Sequence, residues 1–159
     1  MGERGRVVDG HGVTVVSPLS GTVVPLERVA DQMFAERVMG EGVAVRPDAA
    51  DVLAPVAGRL AKLFPGGHGM AIATVEGVEV LVHVGLETVR LRGDGFEVVA
   101  TEGSDVEAGD LLVRVDLDRL AALGVDAISP VVIISDHAVR AVASGYVRAG
   151  EPLFEVVTA

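Results

Sequence analysis

Short valine-rich segments recur along this chain, and glycine and proline turn signals separate them. They cover residues 13–16, 21–24, 43–45, 70–75, 78–84, 89–92, 111–115, 131–135 and 153–157. The intervening turns carry pairs such as Gly66-Gly67 and Glu76-Gly77. β-Branched runs of this length, bounded by turn residues, favour antiparallel strands over βαβ units. The spacing therefore predicts an all-β fold, either an antiparallel sandwich or a barrel.

Helix signals are few. Asp116 is a suitable N-cap for a helix over residues 117–123, and Gly124 would end it. A second short turn is predicted over residues 27–33. We therefore expect one or two short helices beside the sheets.

Two pairs of segments in the chain resemble each other. Residues 17–23 (SPLSGTV) are similar to 54–60 (APVAGRL), and residues 106–112 (VEAGDLL) are similar to 147–153 (VRAGEPL). A proline before a strand and a glycine inside it fit a strand that enters at a sheet corner. The similarity has two interpretations: common β-turn sequences, or a sandwich built from two similar halves.

Composition limits the classes of function. A chain of 159 residues fits one domain, which we place at residues 13–159 after a flexible N-terminal segment 1–12. The absence of cysteine excludes disulfides, zinc–thiolate sites and thiol nucleophiles. The net charge of −10 disfavours binding to nucleic acid. No apolar run is long enough for membrane insertion and no secretory signal is visible, so we expect a cytoplasmic protein.

Two of the four histidines stand out by their positions. His11 and His137 are expected on the solvated surface, whereas one hairpin joins His68 and His83. In residues 78–84 the valines alternate with Glu79, Leu81 and His83, so His83 is predicted on the outer face. A two-residue or four-residue loop would place both imidazoles on that face, and an odd-length loop would separate them.

Two imidazoles on one outer face allow three kinds of chemistry. They could form a metal pair, an acid–base pair, or a nucleophile with its orienting partner. Glycines around His68 would let another molecule approach closely. Met70 and Leu81 are predicted on the same face, with Phe64 just before, and such exposed apolar side chains around a polar centre favour a docking surface.

Several motifs resemble one known family. They are Pro18-Leu19-Ser20-Gly21, Phe34-Ala35-Glu36, residues 40–45 (GEGVAV), 54–58 (APVAG), His68, 81–89 (LVHVGLETV) and 93–96 (GDGF). Together they resemble the glucose-type enzyme IIA of the bacterial phosphoenolpyruvate-dependent sugar phosphotransferase system. The resemblance runs from about Thr14 to Val157 without large gaps, and the segment around His83 is its most specific part.

The resemblance implies a β-sandwich phosphocarrier for sugar uptake. The expected fold is therefore an all-β antiparallel β-sandwich, a barrel-sandwich hybrid with a jelly-roll-like arrangement and one or two short helices. Such a domain takes a phosphoryl group from the phosphocarrier protein HPr and passes it to the IIB domain of a sugar permease; regulatory proteins can share the same surface. His83 would be the phosphorylated nucleophile and His68 would assist transfer. Neither a cofactor nor a metal is implied.

The resemblance also implies a docking surface around the two histidines. Its expected members are Met33, Phe34, Val38, Met39, Phe64, Met70 and Leu81, with Asp31 and Glu87 steering a basic patch on HPr. Four positions depart from the family pattern. Gly66 stands where the family often has threonine, Glu87 where aspartate is usual, and Leu81 and Val84 where aromatic residues are common. Restoring the hydroxyl by Gly66→Thr would be expected to tighten the site.

Three other classes of protein remain as alternatives. A zinc hydrolase would need a third ligand, which the sequence does not offer convincingly. A biotinyl or lipoyl carrier would need a lysine at a hairpin tip, and the only lysine, Lys62, lacks that context. A regulatory binding protein could use the same surface without transferring phosphate.

Overall fold

The computed structural model describes residues 12–158, which form fourteen strands, two short α-helices and two 3₁₀ turns. The strands are β1 (Gly12–Val16), β2 (Gly21–Pro25), β3 (Glu41–Pro47), β4 (Asp51–Leu53), β5 (Gly58–Leu63), β6 (Gly69–Ala73), β7 (Glu79–His83), β8 (Phe96–Val98), β9 (Asp105–Val106), β10 (Leu111–Val115), β11 (Ser129–Ile133), β12 (Val139–Arg140), β13 (Tyr146–Val147) and β14 (Pro152–Val157). The helices are α1 (Gln32–Ala35) and α2 (Leu117–Ala122), and the 3₁₀ turns are Leu26–Arg28 and Thr88–Leu91.

Three antiparallel sheets build the molecule. The large sheet has eight strands in the order β13-β2-β3-β11-β7-β6-β5-β9. Two three-stranded sheets, β1-β14-β12 and β4-β10-β8, complete the sandwich. The predicted antiparallel β-sandwich with short helices is confirmed, and over residues 12–158 the sheets do not close into a barrel.

The centre of the large sheet is buried on both faces. One face packs on the main core, to which β7 contributes Val80 and Val82. The other face is covered by the chain between β2 and β3, whose apolar residues form a second cluster with Leu81. All five residues of β11 are buried, and all but Ser129 are apolar. This second apolar layer is the part of the fold that surrounds His83.

The internal repeat corresponds to a structural duplication. The Ser17 amide donates to the Glu151 carbonyl at 2.7 Å and Ser17 accepts from the Gly150 amide at 2.8 Å. Ala54, at the equivalent position of the second segment, makes the same pair of bonds with Asp110 (2.8 Å) and Gly109 (2.9 Å). The strand order of the large sheet is likewise symmetric about its centre, with β2-β3 matching β5-β6. The sandwich is therefore built from two similar halves.

Local sequence signals explain where the helices lie. Asp116 caps α2 by accepting from the Arg119 amide at 3.0 Å, as the sequence predicted. Asp31 caps α1 in the same way, accepting from the Met33 amide at 2.9 Å. None of the helices over residues 12–158 is long and apolar enough to cross a membrane.

The N-terminal boundary differs by one residue from the prediction. Gly12, assigned to the flexible segment, begins β1 and pairs with Val157. Residues 1–11, including His11, lie outside the described residues.

Candidate active site

His83 is the last residue of β7, and its side chain lies on the face opposite the main core. Val80 and Val82 point into that core, as strand alternation requires. The His83 Nδ1 atom lies 2.7 Å from the carbonyl oxygen of Gly85. Because a carbonyl can only accept, Nδ1 carries the ring proton, and the lone pair of the neutral imidazole is on Nε2. The backbone thus fixes the tautomer that a nucleophile would need.

His68 lies in the turn between β5 and β6, and only 4% of its surface is exposed. The Gly67 amide closes this turn by donating to the Phe64 carbonyl at 2.8 Å. The His68 ring donates a hydrogen bond to the Pro65 carbonyl. Its ring centroid is 5.4 Å from that of His83, with the planes inclined by 74°. The fold therefore brings the two candidate histidines together.

The hairpin joining these histidines has a different register from the two predicted. Gly69 pairs with His83, so the loop between β6 and β7 has five residues, 74–78. An odd loop would separate residues 68 and 83 if the strand continued to residue 68. It does not continue, because His68 follows Gly67, whose φ of 94° bends the chain before β6. The register prediction was wrong, and the imidazoles meet through this bend.

Aromatic rings enclose the two imidazoles. The centroid of Phe34 is 5.6 Å from that of His83. Phe64 lies 5.4 Å from His68 and 6.4 Å from His83. Gly69 makes room for Phe64, because a Cβ at residue 69 would come 2.5 Å from the Phe64 ring. Both imidazoles therefore have an aromatic ring within 5.6 Å, between centroids.

Three residues predicted on the exposed docking surface are buried. Met70 is fully buried, because it lies opposite Val82 and the five-residue loop turns it toward the main core. Leu81 points to the predicted face but is 3% exposed, since residues 26–39 cover it. Phe34 is 5% exposed and belongs to that covering cluster. These side chains support the site from beneath and do not line a free surface.

The other predicted docking residues reach solvent. Met33 and Val38 are exposed, by 49% and 62%, whereas Met39 and Phe64 are partly buried. Val89, which the sequence analysis missed as a surface residue, is 64% exposed. Residues 89–92 were predicted as a strand-like segment, but Thr88–Leu91 forms a 3₁₀ turn.

Asp31 and Glu87 carry negative charge into the same region. Asp31 is partly buried, and its charge acts on the His83 imidazole. Glu87 precedes the 3₁₀ turn in a left-handed conformation (φ 58°) and is paired with Arg90 at 3.6 Å. Its side chain is 77% exposed, so a partner can reach this carboxylate.

Burial lowers the pKa of both imidazoles below the ordinary histidine value. For His83 the loss of solvent dominates, and the Gly85 carbonyl and the Asp31 carboxylate oppose it. For His68 the loss of solvent is again the main cause of the lower pKa, followed by the charge of His83, while the Pro65 carbonyl opposes both. The lowered pKa values keep both rings neutral near pH 7, which preserves the Nε2 lone pair of His83.

Gly66 cannot accommodate the threonine that the family often has there. Its φ is 95°, which disfavours any side chain, and a Cβ would lie 2.8 Å from the Gly93 backbone nitrogen. The two backbones therefore touch at this point, and the expectation that Gly66→Thr would tighten the site was wrong.

The described residues offer little to a metal ion. Across residues 12–158, no group of three or more His, Cys, Asp or Glu side chains is arranged to hold one.

Comparison with known proteins agrees with this geometry. Residues 13–139 match the family model for the phosphoenolpyruvate-dependent sugar phosphotransferase system, EIIA 1. The chain is 43% identical over 147 residues to the N-acetylglucosamine-specific EIICBA component of the phosphotransferase system from Klebsiella pneumoniae, covering 90% of this chain and 23% of that relative. Its fold is similar to glucose permease IIA from Mycoplasma capricolum, with a TM-score of 0.87, 38% identity, and coverage of 91% of this chain and 95% of the other.

These matches extend over both histidines and nearly the whole sandwich, so the resemblance found in the sequence is confirmed. The chain belongs to the EIIA 1 family of the phosphoenolpyruvate-dependent sugar phosphotransferase system, and it is a phosphotransferase component of that system.

Proposed function

We propose that this domain accepts a phosphoryl group from phospho-HPr on Nε2 of His83 and passes it to the IIB domain of a sugar permease. The observation that carries the assignment is the 2.7 Å contact between His83 Nδ1 and the Gly85 carbonyl, which leaves Nε2 as the free nucleophilic atom. We place the reaction in the cytoplasm, where HPr and the IIB domain would meet this surface.

Catalysis of this transfer depends mainly on the positioning of the two reacting imidazoles and on stabilisation of charge. The Nε2 lone pair of His83 forms a bond to phosphorus as the phosphorus–nitrogen bond of the donor histidine breaks, and the bonding pair returns to the donor imidazole. The proton stays on Nδ1 throughout, hydrogen-bonded to the Gly85 carbonyl. In the second step a nucleophile on the IIB domain forms a bond to phosphorus as the Nε2–phosphorus bond breaks. The bonding pair returns to Nε2 of His83. No cofactor enters the balance, and neither of the two reacting nitrogen atoms gains or loses a proton.

His68 has a separate role in this scheme. One of its ring nitrogens is protonated and bound to the Pro65 carbonyl, so the other carries a lone pair while the ring is neutral. That second nitrogen can donate to a phosphoryl oxygen only after it binds a proton. The negative phosphoryl group on His83 would raise the pKa of His68 and favour this proton. His68 would then stabilise the charge as the group leaves.

Surface chemistry supports a basic protein partner. Met33, Val38 and Val89 provide exposed apolar contact around the histidines. Asp31 and Glu87 provide negative charge, and the whole chain has a net charge of −10. By family resemblance, HPr carries arginine near its histidine, which complements these carboxylates and would speed association.

The test is phosphorylation of three proteins: the parent, His83→Gln and His68→Gln. Each is incubated with phosphoenolpyruvate, enzyme I and HPr, and its mass is measured. We expect one acid-labile phosphoryl group on the parent, none on His83→Gln, and one on His68→Gln. Onward transfer from His68→Gln to a IIB domain should be slower by about 100-fold, as expected for loss of a proton donor. Labelling of His83→Gln but not of His68→Gln would overturn the assignment.

A further inference from the structure

A shallow cavity of 340 Å³ opens beside His68, next to the 3₁₀ turn Thr88–Leu91. It is lined by Phe64, Pro65, Gly66, His68, Val89 and Arg92. Arg92 is the only cation among these residues. The cavity therefore places Arg92 and His68, the residue proposed to assist transfer, along the same wall.

Arg92 forms no ion pair within the described part of the chain. No carboxylate between residues 12 and 158 lies within 4.0 Å of its guanidinium, whereas Arg90, two positions earlier, is paired with Glu87 at 3.6 Å. A guanidinium in this condition keeps its donors available for an anion.

The backbone holds Arg92 in a fixed relation to the histidine turn. Its φ is 54°, a left-handed conformation, and its amide donates to the Val89 carbonyl at 3.3 Å. The next residue, Gly93, packs directly on Gly66, where a Cβ at residue 66 would lie 2.8 Å from the Gly93 nitrogen. The segment that carries Arg92 is therefore packed on the turn that carries His68.

We propose that Arg92 binds oxygen atoms of the phosphoryl group during its transfer between His83 and a partner. This inference rests on the proposed phosphocarrier function and names an additional residue for the same site. As the phosphorus–nitrogen bond at one histidine breaks and the bond at the other forms, negative charge spreads over the phosphoryl oxygens. The planar guanidinium offers two parallel donors to those oxygens, and no proton leaves Arg92.

The contribution of Arg92 is distinct from long-range steering. Removing one positive charge from an acidic protein should leave association with basic HPr unchanged or make it faster. A direct contact with the phosphoryl group has the opposite effect, because its loss slows the transfer step. The sign of the rate change therefore separates the two explanations.

The experiment compares Arg92→Gln, Arg92→Asn and Arg92→Lys with Arg90→Gln as the matched control. Asn is included because it tolerates the left-handed conformation and removes the charge without adding strain. Thermal melting first establishes that each variant folds. Single-turnover transfer from phospho-HPr and the dissociation constant for unphosphorylated HPr are then measured separately, and the phosphorus NMR shift of the phosphohistidine is recorded.

We expect Arg92→Gln and Arg92→Asn to slow transfer by about 10- to 100-fold, below the loss seen for a fully enclosed oxyanion donor. Arg92→Lys should recover part of the rate, Arg90→Gln should transfer like the parent, and HPr affinity should be unchanged. The phosphorus shift should move only in the Arg92 variants. Parent-like transfer by both neutral Arg92 variants, or an equal loss in Arg90→Gln, would overturn the proposal. Failure of the parent itself to become labelled would instead defeat the proposed function.

Discussion

The imidazole of His68 lies 5.4 Å, between ring centroids, from that of His83, although strand alternation alone would place residues 68 and 83 on opposite faces of their hairpin. Two left-handed glycines before β6 bend the chain and bring the rings together. The proximity depends on this bend, and burial there sets the protonation of both rings. Four predictions concern the bend, the burial and the surface around it.

The free energy of unfolding should fall as the solution becomes acidic, because the His68 and His83 imidazoles bind protons more readily in the unfolded chain. Burial lowers the pKa of His68 and of His83, so the unfolded chain binds protons more readily than the folded protein below the ordinary value of about 6.5. The stabilisation is fully present above that pH and is lost as pH falls through the lower pKa values of the folded state. Denaturation followed between pH 7.5 and about 5 should show the loss.

The double variant His68→Gln/His83→Gln is the control for this pH dependence. Its unfolding free energy should change less between the same pH values than that of the parent. NMR titration of the ring protons should give both histidines pKa values below about 6.5. A His83 pKa above that value would show that the Gly85 carbonyl and the Asp31 charge outweigh the effect of burial.

Leu81 should matter for stability, since the second apolar cluster covers it. Leu81→Ala removes a side chain that is 3% exposed, and we expect a loss of about 3 kcal/mol in the free energy of unfolding. Met33→Ala, at a position that is 49% exposed, should change it by less than about 0.5 kcal/mol while weakening HPr binding. Urea denaturation measures both. Equal stability of the two variants would show that residues 26–39 do not cover Leu81 in solution.

Gly66 should tolerate a side chain less well than Gly77. Both have positive φ, 95° and 87°, so each alanine variant incurs the left-handed cost of about 1 kcal/mol. At residue 66 the new Cβ also meets the Gly93 backbone at 2.8 Å, whereas at residue 77 nothing lies within 4 Å. Thermal melting should therefore place Gly66→Ala below Gly77→Ala. The His68 ring resonances should shift only in Gly66→Ala, and unchanged resonances would exclude a coupling between this contact and the site.

Association with HPr should depend on Asp31 and Glu87 in a salt-sensitive way. Asp31→Asn keeps an effective cap on α1, so its effect reports charge and not helix stability. Together with Glu87→Gln it should lower the association rate several-fold at low salt, and the difference should vanish near 1 M salt, where the Debye length is about 3 Å. Stopped-flow kinetics measure the rate. Asp105→Asn on the edge strand β9 is the control, and an equal effect there would assign the result to net charge alone.

Residue alternation and capping could be read from the sequence because they are local. Val80 and Val82 were placed in the core by their spacing, and Asp116 was placed at a helix start by its side chain; both agree with the structure. The motif around His83 was specific enough to predict the family. These features depend on neighbours a few residues away in the chain.

What the sequence did not reveal depends on distant segments and on backbone conformation. The exposure of Leu81 could not be read locally, since the residues that cover it come from the chain before β3. Met70 was assigned to the wrong face because the loop length between β6 and β7 was not known. The contact of Gly66 with Gly93 joins segments that are 27 positions apart, and no local pattern marks it.

The duplicated architecture has a consequence for how such a domain can diversify. The hairpins β2-β3 and β5-β6 hold equivalent places on either side of the strand pair at the centre of the large sheet, and their connecting segments both reach His83. The longer segment supplies Phe34 and the exposed Met33, while the shorter one supplies Phe64 and His68. Under the proposed function, partner contacts and assistance of phosphoryl transfer would therefore come from separate loops of a symmetric frame. Substitutions in the longer loop could then alter partner binding, while the shorter loop retains His68.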